Sequence, residues 1–270
     1  MTALLEFSSG FESFGARVLF TSNDAGVLED VIGIARNALL GNLTPCSAEA
    51  FPLVLAIKKT RRGLRLERNG RYTTSGRPGK PFFRHLDGII RISIGEFAPE
   101  LLFLHAGAVG WRGQGIVLPA DSFTGKSTFV TELIKAGADY YSDDFAIIDA
   151  KSRLHPFSRP ISMRTREESI AVYELQPGEL GARVGVRPIP VGLIMLSRYR
   201  ARARWSPETL SPGEGLLRST PFALALRQSP DMCLSILNKV VSKALVARSD
   251  RGDARTAALR LLEFFDTSFF

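Results

Sequence analysis

Hydrophobic and polar positions change period several times along the chain, and each change predicts an element. Residues 17–21 alternate as a strand. Residues 26–40 carry Val27, Val31, Ile34, Ala35 and Ala38 at helical spacing, and Gly41-Asn42 follows as a stop signal. Residues 51–58 form an apolar strand. Residues 63–67 and 71–74 make a hairpin around Asn69-Gly70, a pair that tolerates the positive φ of a tight turn. The stretch 74–81, with two Gly and two Pro, is a loop, and 82–104 mixes helical and extended signals. Beyond it, 102–109 is apolar with one histidine and 115–119 is a short strand. Residues 125–137 form an amphipathic helix with Phe129, Val130, Leu133 and Ile134 inward and Gly137 at its end. Residues 140–142 lead into Asp143-Asp144, 145–149 and 154–157 form a second hairpin, and 191–196 is a buried strand. Helices are expected at 216–226, 232–246 and 254–265. Short strands alternating with helices predict an α/β fold, with a smaller α+β region over 1–90, its role unassigned, and a larger domain over 91–270.

Composition narrows the class. With 45% hydrophobic and 23% charged residues the chain can bury a substantial core, which excludes global disorder. No apolar run is long enough to span a membrane, and residues 1–20 lack the basic-then-apolar pattern of a signal peptide, so a cytoplasmic location and no membrane partner are expected. Cys46 and Cys233 are too few and too far apart for a disulfide framework. The net charge of +8 is concentrated: residues 58–91 hold eleven basic side chains against Glu67 and Asp87. Such a patch attracts phosphates, nucleic acid or acidic proteins, but no stacking aromatics interleave through residues 58–71 and no nucleic-acid motif is present, so it reads as a solvated hairpin surface. Arg198, Arg200, Arg202 and Arg204 recur with period two, as on the polar face of an outer strand.

One segment carries chemistry. Residues 120–128 read Ala-Asp-Ser-Phe-Thr-Gly-Lys-Ser-Thr, between a predicted strand and a predicted helix. That context is what a phosphate loop requires. Backbone amides of Ser122, Phe123, Thr124, Gly125, Lys126, Ser127 and Thr128 can surround phosphate oxygens at a helix N-terminus. Lys126 can reach the outer phosphates and the Ser127 hydroxyl can ligate Mg²⁺. Ala120 stands where the pattern usually has glycine. Asp143 follows Lys126 by 17 residues, a distance that one helix and one strand consume in returning the chain to the loop. Paired carboxylates beside a phosphate can divide two tasks, one ligating Mg²⁺ and the other accepting a proton. His105 lies on the apolar strand just before the loop strand and can be delivered to the same place.

His-Ala-Gly-Ala-Val at 105–109, Ala-Asp-Ser-x-x-Gly-Lys-Ser at 120–127 and Ser-Asp-Asp at 142–144 together resemble the catalytic domain of the HPr serine kinase/phosphorylase family. The short lysine-to-aspartate spacing is the discriminating feature, since most P-loop ATPases place the acidic strand much later. The resemblance implies a nucleotide-binding core like that of phosphoenolpyruvate carboxykinase over 91–270, using ATP and Mg²⁺. It further implies that Lys126 and the loop amides bind the β- and γ-phosphates, that Ser127 and Asp144 hold Mg²⁺, and that Asp143 is the general base. His105 would contact Asp143 or the transferred phosphoryl group, and Arg164, in Pro-Ile-Ser-Met-Arg, would stabilise charge on that group. The family's downstream Glu-x-Arg-Gly-Leu-Gly signature is absent here. The chain therefore looks more like divergent HPr-kinase-like proteins, with an acceptor hydroxyl on a peptide or protein other than HPr, serine first, or on a small metabolite. The family forms hexamers, so a homo-oligomer is also implied. Two alternatives remain: a P-loop ATPase or GTPase with water as acceptor, although the Asn-Lys-x-Asp guanine-reading motif is missing, and a nucleotide-sensing module, although Lys126, Asp143 and His105 are all retained.

Overall fold

The computed structural model describes residues 6–121, 124–164 and 172–269, in two units, Met1–Pro99 and Glu100–Phe270. The first unit runs β1 (Phe7–Ser13), β2 (Ala16–Ser22), α1 (Ala25–Ala38), β3 (Thr44–Pro45), β4 (Leu53–Thr60), β5 (Gly63–Arg68), β6 (Arg71–Gly76) and α2 (Lys80–Phe97). Its sheet has the order β3-β1-β2-β4-β5-β6, with β2 and β4 parallel and the other pairs antiparallel. Asp24 starts α1 by accepting a hydrogen bond from the Val27 amide at 3.0 Å. The buried stripes Leu28, Val31, Ala35 of α1 and Phe82, Leu86, Ile90, Ile94 of α2 repeat at three- and four-residue spacing and join Phe20, Leu55 and Ile57 of the sheet in one core. The β5–β6 turn has Asn69 at φ 47° and Gly70 at φ 76°, as the Asn-Gly pair requires.

The ambiguous stretch 82–104 resolves into α2 and the start of the next strand. Residue 90 lies inside α2, and Ile90 belongs to the first core. Much of the basic segment 58–91 is neutralised locally: Lys58 and Arg65 pair with Glu67, Lys59 with Asp24, Arg68 with Glu96 and Arg91 with Asp87.

The second unit runs β7 (Leu101–Trp111), β8 (Gln114–Pro119), α3 (Lys126–Lys135), β9 (Asp139–Ser142), β10 (Phe145–Asp149), β11 (Arg153–His155), β12 (Ile161–Arg164), β13 (Val172–Leu175), β14 (Ile189–Tyr199), β15 (Glu208–Thr209), α4 (Pro212–Ser219), α5 (Pro230–Val241), β16 (Leu245–Arg251) and α6 (Ala254–Phe269). The sheet order is β11-β10-β7-β8-β14-β16-β15, with β9 also on β7. β11 additionally pairs with β14, so the path from β11 to β14 closes on itself. β8, β14 and β16 are parallel neighbours, and β12–β13 is a separate hairpin. This is a mixed α/β architecture with mixed sheets.

β7 is covered on both sides. Leu102, Leu104, Ala106 and Ala108 face a core shared with Cys233, Ile236 and Val240 of α5, whereas Val109 joins Phe129 and Leu133 of α3 and Leu261 and Phe265 of α6. Each fully buried Leu or Phe of these layers contributes roughly 1.5–3 kcal/mol. A Cβ on Gly107 would lie 2.5 Å from Val130 Cγ2, so glycine at this place lets α3 approach the strand that carries His105.

Several expected elements are corrected. The helix predicted at 216–226 is α4 followed by 3₁₀ turns at Thr220–Phe222 and Leu224–Arg227, because Pro221 has no amide to continue the ladder. The helix predicted at 232–246 ends at Val241, and the strand β16 begins at Leu245. Leu237, Val241 and Leu245 continue the four-residue spacing past the real helix end, which hides the change of element. The arginine run does not share a strand face. β14 stops at Tyr199, Arg202 has φ 62°, and β14 lies between β8 and β16 rather than at an edge. Among the described residues no helix is long and apolar enough to cross a membrane.

Candidate functional site

β8 ends at Pro119 and α3 begins at Lys126, so the candidate phosphate segment 120–125 joins the two. Gly125 precedes the helix at φ 80°, in the left-handed region, where a side chain would be strained. Ala120 does not adopt a positive φ, so alanine is accommodated where glycine was expected. The Thr124 hydroxyl closes the loop by donating to the Asp121 carbonyl at 2.7 Å. Ser122 and Phe123 lie outside the described residues. Thr128 is exposed in the first turn of α3.

Asp143-Asp144 connects two strands that both lie against β7: Ser142 of β9 sits opposite Ala108, and Phe145 of β10 opposite His105. The Ser142 hydroxyl accepts from the amides of Asp144 and Phe145, both at 3.2 Å, which fixes the connection. β7 ties this connection to the loop. The Ala106 amide donates to the Asp144 carbonyl at 3.2 Å, and the His105 carbonyl accepts from the Ala120 amide at 3.4 Å. The His105 ring, half-buried, lies with its centroid 6.1 Å from that of Phe145.

The first two residues of α3 reach across to the aspartate. Lys126 Nζ donates to the Asp143 carbonyl at 2.6 Å, and the Ser127 hydroxyl lies near enough to the Asp143 carboxyl to favour its charged form. Asp143 is 8% exposed, and among the described residues its Oδ1 has no hydrogen-bond partner. Burial pushes its pKa up to about 6, against the lowering pull of Lys126 and Ser127. His105, Lys126, Ser127, Asp143 and Asp144 are thus brought to the carboxyl end of β8, beside the middle of β7. Arg164 ends β12, which lies against α3 through Met163 Sδ and Thr131 Oγ1 at 3.9 Å; the Arg164 side chain is outside the described part of the chain.

Two features escaped the sequence reading. Arg251, the last residue of β16, is 3% exposed and donates from Nη2 to the carbonyls of Thr124 at 3.0 Å and Gly125 at 2.8 Å. It stands 126 positions from Gly125, beyond any local pattern. A cavity of about 970 Å³, which Asp143 does not line, is bounded by Ala120, Asp121 and Thr124 of the loop, by Arg198 of β14 and Arg248 of β16, and by Phe222. It sits at the carboxyl ends of parallel strands, where ligands of open α/β sheets commonly bind.

A magnesium ion fits the oxygen donors present. The orphaned Oδ1 of buried Asp143 asks for a cationic or protonated partner, and Ser127 and Asp144 supply further hard oxygens. Among the described residues no cluster of three or more His, Cys, Asp or Glu side chains could hold a metal alone, so phosphate oxygens would have to complete the shell.

No family model matches the chain, and no curated protein matches it by sequence. Among solved structures it is similar to the HPr(Ser) kinase/phosphatase from Coxiella burnetii, with 13% identity and a TM-score of 0.33, over 61% of this chain and 94% of that one. A likeness of that size carries no argument about fold or activity.

Proposed function

We propose that this chain is an ATP- and Mg²⁺-dependent phosphotransferase of the HPr-kinase-like type, transferring the γ-phosphoryl group to a hydroxyl, serine first, on a peptide or protein other than HPr. The observation that carries the reading is the contact of Lys126 and Ser127, at the start of α3, with buried Asp143. A polyphosphate lying on the loop would meet Lys126 and the α3 N-terminus on one side and a carboxyl with a pKa of about 6 beside it. The motif resemblance around His105, 120–127 and 142–144 supports the same assignment.

In this reading Asp143 takes the proton from the acceptor hydroxyl. The acceptor oxygen forms its bond to the γ-phosphorus as the bond to the β,γ-bridging oxygen breaks, and ADP leaves with that electron pair. Lys126 and the loop amides orient the phosphates, and His105 steadies Asp143 or the transferred group. Arg164 is the candidate for the charge on that group. Magnesium, held by Ser127 and Asp144, would neutralise phosphate charge. The cavity lined by the loop residues Ala120, Asp121 and Thr124 is the candidate for the nucleoside, with the γ-phosphate directed to Asp143. ATP as donor makes the cytoplasm the fitting compartment, and a homo-oligomer remains part of the proposal.

The nearness of the Ser127 hydroxyl to the Asp143 carboxyl favours a second arrangement in which the two aspartates exchange tasks, Asp143 facing the metal and Asp144 acting as base. The test is to incubate the protein with γ-labelled ATP and Mg²⁺, with peptide, protein and hydroxylated-metabolite acceptors, and to locate the label. Alkali-labile phosphoserine supports the reading, label on a metabolite replaces the acceptor class, and fast phosphate release that no acceptor suppresses replaces the kinase with an ATPase. Asp143→Asn and Asp144→Asn, compared at varied Mg²⁺, assign the roles: the base variant loses rate at all metal concentrations, and the metal-site variant recovers as Mg²⁺ rises.

A further inference from the structure

Among the described residues, Arg251 is a buried cation without a counter-ion. It is 3% exposed, no carboxylate among the described residues pairs with it, and its Nε has no hydrogen-bond partner. Its guanidinium lies 4.7 Å from the Phe129 ring centroid and 5.9 Å from that of Tyr199. Burying an unpaired charge is costly. Burial lowers the arginine's pKa, yet a guanidinium stays protonated in any ordinary condition. Packing alone does not account for a charge here, because an apolar side chain of similar length would fill the space between Phe129 and Tyr199 without that cost.

The hydrogen bonds of Arg251 supply the reason. Both go to consecutive carbonyls, Thr124 and Gly125. A peptide unit is planar and trans, so its C=O and the N–H of the next residue point in opposite directions. The Thr124 carbonyl shares its plane with the Gly125 amide, and the Gly125 carbonyl shares its plane with the Lys126 amide. With both carbonyls turned toward Arg251, both amides are turned away from it, toward the open side of the loop at the helix N-terminus. The Phe129 amide also donates to the Gly125 carbonyl, at 3.1 Å, so the orientation is held from two sides. Gly125 and Arg251 fit each other: a Cβ at 125 would lie 3.1 Å from Arg251 Nη2.

We propose that Arg251 is a positioning residue that aims the Gly125 and Lys126 amides at a bound polyphosphate and, by polarising the two peptide units, makes them stronger donors. The anion in turn supplies the missing counter-charge through those units. This inference rests on the phosphate-binding reading above.

The test uses the whole chain and inorganic tripolyphosphate as probe, with Mg-ATP in parallel. Arg251→Met removes the fork and keeps the stem. Its thermal unfolding temperature should be no lower than that of the wild type, since the cost of the buried charge is gone, while affinity for tripolyphosphate falls about 10- to 100-fold, as expected for losing two charge-assisted contacts. In Arg251→Ala, millimolar guanidinium ion should restore part of the affinity and equal sodium should not, a response that a merely structural residue would not give. If the Met variant does not fold, Arg251→Lys decides: it keeps the charge but its shorter, non-planar head cannot reproduce the position of Nη2, which donates to both carbonyls, and its affinity should fall several-fold. Wild-type binding together with unchanged binding in the folded Met or Lys variant overturns the role of Arg251 and leaves the reading intact. A folded wild type that binds neither tripolyphosphate nor Mg-ATP overturns the phosphate-binding reading, and this inference with it.

Discussion

Burial raises the Asp143 carboxyl to about 6 from an ordinary 3.8, which sets stability against chemistry at one residue. The protonated form favours the fold, so the stability it brings is full below pH 3.8 and is lost as pH rises through about 6. Asp143→Asn keeps the shape without the charge and should stabilise the ligand-free protein at pH 8 by on the order of 2–3 kcal/mol, with little change at pH 3.5. Thermal unfolding of both proteins across that range checks it, and a difference that shrinks as pH rises would contradict the buried-carboxyl account. On the proposed assignment of Asp143 as general base, the same variant should lose about 10²–10⁴-fold in transfer rate. In the wild type, kcat/KM should climb with pH through about 6 and level off above it, the carboxylate being the active form. At this scale the sequence was informative where chemistry is local: Gly125-Lys126-Ser127 and Asp143-Asp144 could be picked out because one helix and one strand separate them. Arg251 could not, because nothing within its own strand marks an arginine that bonds carbonyls 126 and 127 positions away.

Elements were legible where period and stop signals agreed. α1 and α3 each combine an apolar stripe with a glycine just past the end, Gly41 and Gly137, both at positive φ. The β5–β6 hairpin followed from Asn69-Gly70, and there the backbone makes its own prediction. A Cβ on Gly70 would meet nothing within 4 Å, so Gly70→Ala tests conformation alone. At φ 76° it should cost about 1 kcal/mol or slightly more, read as a lowered denaturation midpoint with unchanged slope. An unchanged midpoint would mean that the turn is not held as described. Element boundaries failed where one period ran on through a change of structure. Leu245 continues the stripe of α5 but opens β16, and 216–226 contains the proline that splits it into a helix and 3₁₀ turns. The arginine run misled because the period of two outlasts β14 by several residues.

On the scale of the whole molecule, each unit has its own apolar core, and the candidate site falls wholly in the second. The first unit's basic hairpin offers a way to draw in an acidic acceptor, a rate effect that salt suppresses. Local ion pairs already neutralise several of its charges, so the free contribution rests on side chains such as Arg61 and Arg62. Reversing both should lower acceptor turnover several-fold at low salt and leave it unchanged at high salt; no change at either would return the segment to a solvated surface. Acceptor identity decides function at this scale, because phosphoryl transfer asks little covalent help from the protein and water serves whenever the site is open. A kinase must therefore keep water from the γ-phosphate until its acceptor hydroxyl is in place, and on the proposed reading ATP hydrolysis without an acceptor should be slow. Everything in the account depends on a nucleotide's phosphates lying on the loop before α3. Calorimetric titration of the wild type and of Lys126→Ala with Mg-ATP tests that most directly: saturable one-to-one binding by the wild type, abolished or weakened by orders of magnitude in a variant that still unfolds cooperatively at the wild-type temperature, is the predicted result, and equal binding by both proteins, or none by a folded wild type, would contradict it.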